Sequence, residues 1–177
     1  MNLARQAILE SVCHEQIPDT PIALGALAES RGAFVSLRVN GKLRGCIGQV
    51  SPKVSLAETV VQCAVLAAQE DYRFDAVRPE EVTELEIEIS VLADPVPVKL
   101  EEIEIGRHGL LVMMGGRRGL LLPQVASERG WDRQRFLEET CRKADLPPDA
   151  WKDPSGQIFA FTAEVFSEAG LRTRRTS

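Results

Sequence analysis

The stretch AFVSLRVNGKLRGCIGQV, residues 33–50, decides how the rest of the chain is read. At its centre, Asn40-Gly41 supplies the two positive φ angles that a two-residue type I′ turn requires. The runs on either side alternate, so the spacing predicts a β-hairpin with arms 33–39 and 42–50. Phe34, Ser36 and Arg38 then share one face, and Val35, Leu37 and Val39 the other. In the second arm Leu43, Gly45 and Ile47 oppose Lys42, Arg44 and Cys46. If Leu43 and Ile47 face the core, Arg44 and Cys46 share the opposite face.

The segments around this hairpin follow from their own periodicities. Residues 3–16 place Leu3, Ala7, Ile8 and Val12 at helical spacing, which predicts an amphipathic helix with Cys13 near its apolar face. The run IPDTP, 17–21, breaks that helix, because proline lacks the N–H and restricts the residue before it. After the hairpin, Ser55 and Glu58 form an S-x-x-E helix start, followed by Leu56, Val60, Cys63 and Ala67. EDYRF, 70–74, ends this helix and begins a loop running to Pro79.

The run TELEIEISVLADP, 83–95, alternates strictly: Leu85, Ile87, Ile89 and Val91 inward, Glu84, Glu86, Glu88 and Ser90 outward. Its glutamates read as a solvated strand face rather than as paired catalytic carboxylates. HGLLVMMGGRRGLLLP, 108–123, predicts a second hairpin around Gly115-Gly116. Two helices follow, the first ended by Gly130 and the second capped by Asp132. QIFAFTAEVFSE, 157–168, alternates as a closing strand. Hairpins, one long alternating strand and interspersed helices imply an α+β fold, with antiparallel sheets and flanking helices.

The whole-chain numbers bound the function classes. A chain of 177 residues fits one domain or a domain with a small second lobe. The net charge of −5 argues against broad binding to a phosphate backbone, which needs a basic surface. The basic run RTRRTS at 172–177 is a short charged end that does not reverse this. No segment approaches the roughly 20 apolar residues of a membrane span. The amphipathic start does not resemble a signal peptide, and the four cysteines are scattered. A cytoplasmic chain with reduced thiols is the expectation.

The chemistry left to explain centres on RGCIG, 44–48. There is no phosphate loop, no dinucleotide fingerprint, no nucleophile elbow and no metal-ligand spacing, so neither a metal nor a cofactor is expected. A thiol becomes a nucleophile when a cation, a helix N-terminus or a base lowers its pKa. Arg44, two residues from Cys46, suits that role, and His108 in IGRHGLLV could act as a base beside Arg107. Asp71 and Arg73 of EDYRF are candidates for ligand contact or for a loop-anchoring ion pair. Gly45 and Gly48 let a ligand or another backbone approach closely. Cysteine is also among the most buried residue types, and glycine in a strand marks bulges and tight packing. The motif therefore supports a catalytic reading and a packing reading.

Taken together, these motifs resemble the AMMECR-type domain family, whose microbial members include the AmmeMemoRadiSam system protein A group. LRGCIG at 43–48 carries the resemblance, supported in order by EDYRF, GRHGLLV, GLLLPQVASERGWD and FLEETCRKADL followed by Trp151. Together they span roughly residues 23–168 of one domain. The resemblance implies two unequal lobes, the larger holding both chain ends, and a cleft near the glycine-cysteine motif. It implies no established reaction. With the residues read above, the leading expectation is an enzyme or enzyme component using a cleft around Cys46, with Cys46 and His108 catalytic and Arg44, Gly45, Ile47, Gly48, Asp71, Arg73 and Arg107 as ligand contacts. The alternative is a noncatalytic binding module with the same cleft. It also implies a MEMO-like protein and a radical SAM enzyme as partners. The chain has no CxxxCxxC cluster motif, so radical chemistry would belong to those partners. Two positions depart from the family pattern. Tyr72 stands where proline is usual, and Asp145 where glycine usually ends a helix in the left-handed conformation.

Overall fold

A computed structural model describes residues 1–16, 19–20 and 22–168. Three residues of the 17–21 break, and the basic run at 172–177, lie outside the described residues. The hairpin forms as its turn dictates. Strands β1 (Ala33–Val39) and β2 (Lys42–Gln49) pair antiparallel, with Asn40 at φ 51° and Gly41 at φ 75°.

The register shows one departure from simple alternation. Leu37 pairs with Gly45 and Arg38 with Leu43, so Arg44 is an extra residue bulging from β2. The bulge breaks the predicted phase. Gly45 is buried and Ile47 packs against the core, as expected of one face, but Leu43 is 37 % exposed.

The chain divides into two units, Met1–Leu92 with the chain from Glu164, and Ala93–Ala163. In the first, the sheet order is β2-β1-β3-β8, with β3 at Glu86–Leu92 and β8 at Ala163–Ser167. Helices α1 (Asn2–Cys13) and α2 (Leu56–Gln69) pack on each other, and α2 packs on β1 and β2. Val35, Leu37, Ile87 and Ile89 of the sheet meet Ile8, Val60, Cys63 and Ala64 in one core. Ser55 caps α2, its hydroxyl accepting from the Glu58 N–H at 3.2 Å.

Several expectations are corrected here. Helix α1 buries Ala4, Ala7, Ile8 and Ser11, and Cys13, its last residue, is exposed rather than core. That stripe runs i, i+3, i+4, i+7, and Cys13 falls outside it. The strand expected from Thr83 begins at Glu86, because Pro79–Glu84 forms a 3-10 turn. Ser90, expected outward, is 2 % exposed.

In the second unit the sheet order is β4-β7-β5-β6. The second hairpin is β5 (Gly109–Met114) and β6 (Arg117–Leu121), flanked by β4 (Val96–Pro97) and β7 (Gln157–Phe161). Helix α3 (Pro123–Glu128) precedes α4 (Arg133–Lys143), which Asp132 caps by accepting from Arg135 N–H at 2.7 Å. Phe136, Leu137 and Cys141 of α4 fill the core against Leu110, Val112 and Ala160. Asp145 takes the left-handed conformation at φ 55°, the conformation the family's usual glycine would adopt there. The single closing strand expected over 157–168 is two strands. Thr162 separates β7, which pairs with β5, from β8, which joins the sheet of the first unit.

One ionic node ties the first unit together. Arg5 on α1 donates to the carbonyls of Val82 at 2.8 Å and Leu85 at 2.7 Å, and pairs with Glu168. Glu168 in turn accepts from the Ile87 N–H at 3.1 Å. The guanidinium thus serves two carbonyls and a carboxylate at once. Arg5→Met should lower the stability by about 2 kcal/mol, read from urea unfolding, because it leaves these acceptors and a half-buried carboxylate unpaired.

Candidate functional site

The site is built from the bulge outward. β2 is an edge strand, so one side of its backbone lacks a strand partner. A side-chain pair covers it at Cys46. The Cys46 N–H donates to Asp71 Oδ2 at 2.8 Å, and Arg73 donates from NH2 to the Cys46 carbonyl at 3.0 Å. Asp71 and Arg73 are themselves joined, Nε to Oδ1 at 2.8 Å and NH2 to Oδ2 at 2.6 Å. An acceptor and a donor in one rigid pair thus stand in for a neighbouring strand. Asp71 is buried, and the Arg73 guanidinium holds its carboxyl down to about 2, with the Cys46 N–H adding to the effect.

Arg44 forms the second cross-link. Its guanidinium lies fork to fork on Glu81, at 3.0 and 3.1 Å, and donates to the carbonyls of Asp75 at 2.7 Å and Ala76 at 3.1 Å. This binds the bulge to the loop after α2 and to the following 3-10 turn. The Arg44 fork and the Arg78 N–H hold the Glu81 carboxyl down to about 2.

The two glycines of RGCIG serve close approach. A Cβ on Gly45 would lie 2.1 Å from the Ala67 carbonyl oxygen of α2. One on Gly48 would lie 2.2 Å from the Phe34 ring, which crosses its place on the opposite face. Between them Cys46 is half-buried, and its sulfur accepts from Ser36 Oγ at 3.2 Å, directly across the strand pair. Among the described residues no charged side chain is hydrogen-bonded to the sulfur.

Beside this wall opens a groove of about 770 Å³, lined by Arg44, Glu81, Arg78 and the 72–76 loop. Arg73 packs over the Phe74 ring at 5.5 Å, and Tyr72 at the loop tip is 91 % exposed. The structure therefore joins Arg44, Gly45, Cys46, Ile47, Gly48, Asp71 and Arg73 in one local assembly. Sequence reasoning missed Glu81, Ser36 and Phe34. Ser36 and Phe34 could have been found from the hairpin register, which sets them opposite Cys46 and Gly48.

His108 and Arg107 belong to the second unit. There the His108 Nδ1 accepts from the Glu104 N–H at 3.1 Å, and the His108 N–H donates to the Glu104 carbonyl at 2.9 Å. Arg107 pairs with the Glu104 carboxylate at 2.9 and 3.0 Å. The histidine closes the turn into β5, and the arginine rides on its surface.

Comparison with known proteins gives one consistent result. The AMMECR1 family model matches residues 1–166. Protein TK0174 of Thermococcus kodakarensis is 44% identical, over 95% of this chain and 88% of its own length. A protein of Methanothermobacter thermautotrophicus is 42% identical, over 96% of this chain and 93% of its own. The crystal structure of uncharacterized protein PH0010 from Pyrococcus horikoshii superposes with a TM-score of 0.89 at 41% identity. That match covers 94% of this chain and 88% of the other.

Proposed function

This chain belongs to the AMMECR1 family, and from that premise we propose that it is a binding module whose groove beside RGCIG receives a segment of a partner protein. One observation carries this reading. Asp71 is bonded to Arg73 and Arg44 to Glu81, each pair also holds backbone, and the loop they fix presents Tyr72 91 % exposed at the mouth of the groove. An exposed aromatic ring on a bonded loop is a preorganised anchor, since little freedom is lost when it is covered. Arg78 adds a guanidinium 70 % exposed, held only at 3.5 Å by Glu80 and Glu81, which suits an acidic residue on the partner. The partners to try are those the resemblance implies, a MEMO-like protein and a radical SAM enzyme.

A second reading has its own observation. The Ser36 hydroxyl donates to the Cys46 sulfur, a contact that supports a nucleophilic thiol. The two readings separate by mutation. Titration calorimetry with a MEMO-like protein of the same organism should show saturable binding. Tyr72→Ala and Arg78→Ala should each weaken it about tenfold or more, with unchanged unfolding midpoints. Unaltered affinity in both variants would remove the groove from the interface, and no binding at all would remove this partner.

A further inference from the structure

A half-buried guanidinium with no counter-charge among the described residues stands at an apolar groove on another part of the first unit. This groove, of about 560 Å³, is bounded by the start of α1, the 3-10 turn Gly25–Ala28, the first turns of α2, and strands β3 and β8. Leu56, Val60, Ile89 and Val91 form its apolar floor. Leu27 and Phe166 line it as well, each 48 % exposed, and so remain largely in water. Its volume lies within the range of small-molecule sites.

Arg31 is the cationic side chain of the lining, with the Met1 amino group as a second positive group on the same groove. The Arg31 Nε donates to the Leu92 carbonyl at 3.3 Å, and among the described residues no carboxylate lies within 4.0 Å of the guanidinium. Glu164 lines the same groove without pairing with it. A partly desolvated guanidinium is poorly satisfied by a single long bond, and a planar carboxylate matches its fork. Exposed Leu27 and Phe166 gain by being covered with an apolar chain. One ligand meets both needs. We propose that this groove binds a medium-chain aliphatic carboxylate, its head on Arg31 and its tail along Leu56, Val60, Ile89 and Val91. This inference is independent of the partner-binding groove.

The test uses the full chain and follows methyl NMR signals during titration with octanoate, decanoate and decan-1-ol below their aggregation limits. The expected result is saturable 1:1 binding of decanoate that shifts the Ile89 and Val91 methyls. Affinity should rise roughly fourfold per added methylene. Decan-1-ol should bind at least about tenfold more weakly than decanoate. Arg31→Gln should erase that difference, and Glu164→Gln should tighten decanoate. Ala26 is an exposed residue lining the groove, so Ala26→Trp should block both ligands without disturbing the core. Three outcomes overturn the proposal: shifts that never saturate, decanoate affinity unchanged in Arg31→Gln, or full binding by a folded Ala26→Trp protein.

Discussion

Gly45→Ala should destabilise the protein by about 3 kcal/mol or more in urea unfolding, although it adds one methyl group. The added carbon would lie 2.1 Å from the Ala67 carbonyl oxygen and 3.1 Å from its carbonyl carbon. Both belong to the backbone of α2, so neither can swing aside as a side chain would. Relief requires α2 to lift from β2, and α2 carries Val60, Cys63, Ala64 and Ala67 of the core. Gly48→Ala should cost less, because the atoms it meets belong to the half-buried Phe34 side chain, which can swing about its Cα–Cβ bond where the α2 backbone cannot. Gly41→Ala meets nothing within 4 Å, and only its φ of +75° penalises it, by about 1 kcal/mol. A Gly45→Ala protein within about 1 kcal/mol of wild type would show that the motif's first glycine is not a packing device.

Acid should weaken the fold through the same assembly. The Asp71 and Glu81 carboxyls are held down to about 2, from ordinary values of 3.8 and 4.5. A carboxyl whose folded pKa is depressed stabilises the protein above its unfolded pKa and loses that contribution as pH falls through the folded one. Stability should therefore hold above about pH 5 and fall between about pH 4.5 and 2. Asp71, almost fully buried, accounts for about 2 kcal/mol. Glu81, with about a fifth of its side chain exposed, accounts for a similar amount after solvent screening. Asp71→Asn should lower stability near pH 7 by about 2 kcal/mol and flatten the acid limb of the stability curve. Parallel limbs for the variant and the wild type would contradict the role given to the Asp71–Arg73 pair.

The parts legible in the sequence were those fixed by local chemistry. Asn40-Gly41 set the hairpin, Ser55 the start of α2, Asp132 the start of α4 and Asp145 its left-handed end. What escaped depends on residues far apart in the chain. The glycines of RGCIG hinted at a bulge, but its place at Arg44 goes with the contact of Arg44 with Glu81, 37 positions away, which no local pattern announces. The extra residue also turned Leu43 outward, although the second arm alternates cleanly by eye. Cys13 was placed near the apolar face because that face was drawn through Leu3, Ala7, Ile8 and Val12, whereas α1 buries Ala4, Ala7, Ile8 and Ser11. Thr162 looks like any other residue of an alternating run, so the division of the last strand between two sheets left no local mark.

Arg44 and Asp71 with Arg73 do gather around Cys46. Yet four of the five N–H donors of Arg44 go to Glu81 and two backbone carbonyls, and the Asp71–Arg73 pair closes a strand edge. Charged residues at an edge strand serve the fold before they serve a ligand. The reading of EDYRF as a loop anchor fits these contacts, and its central Tyr72, for which the sequence suggested no ligand role, stands 91 % exposed.

The most direct test compares wild type with Cys46→Ser for affinity toward the proposed MEMO-like partner, with unfolding midpoints recorded alongside. The groove account predicts affinities equal within about twofold, because serine preserves the backbone bonds that Asp71 and Arg73 make to residue 46. A tenfold or greater loss in a folded Cys46→Ser protein would contradict it and place the sulfur itself at the centre of function.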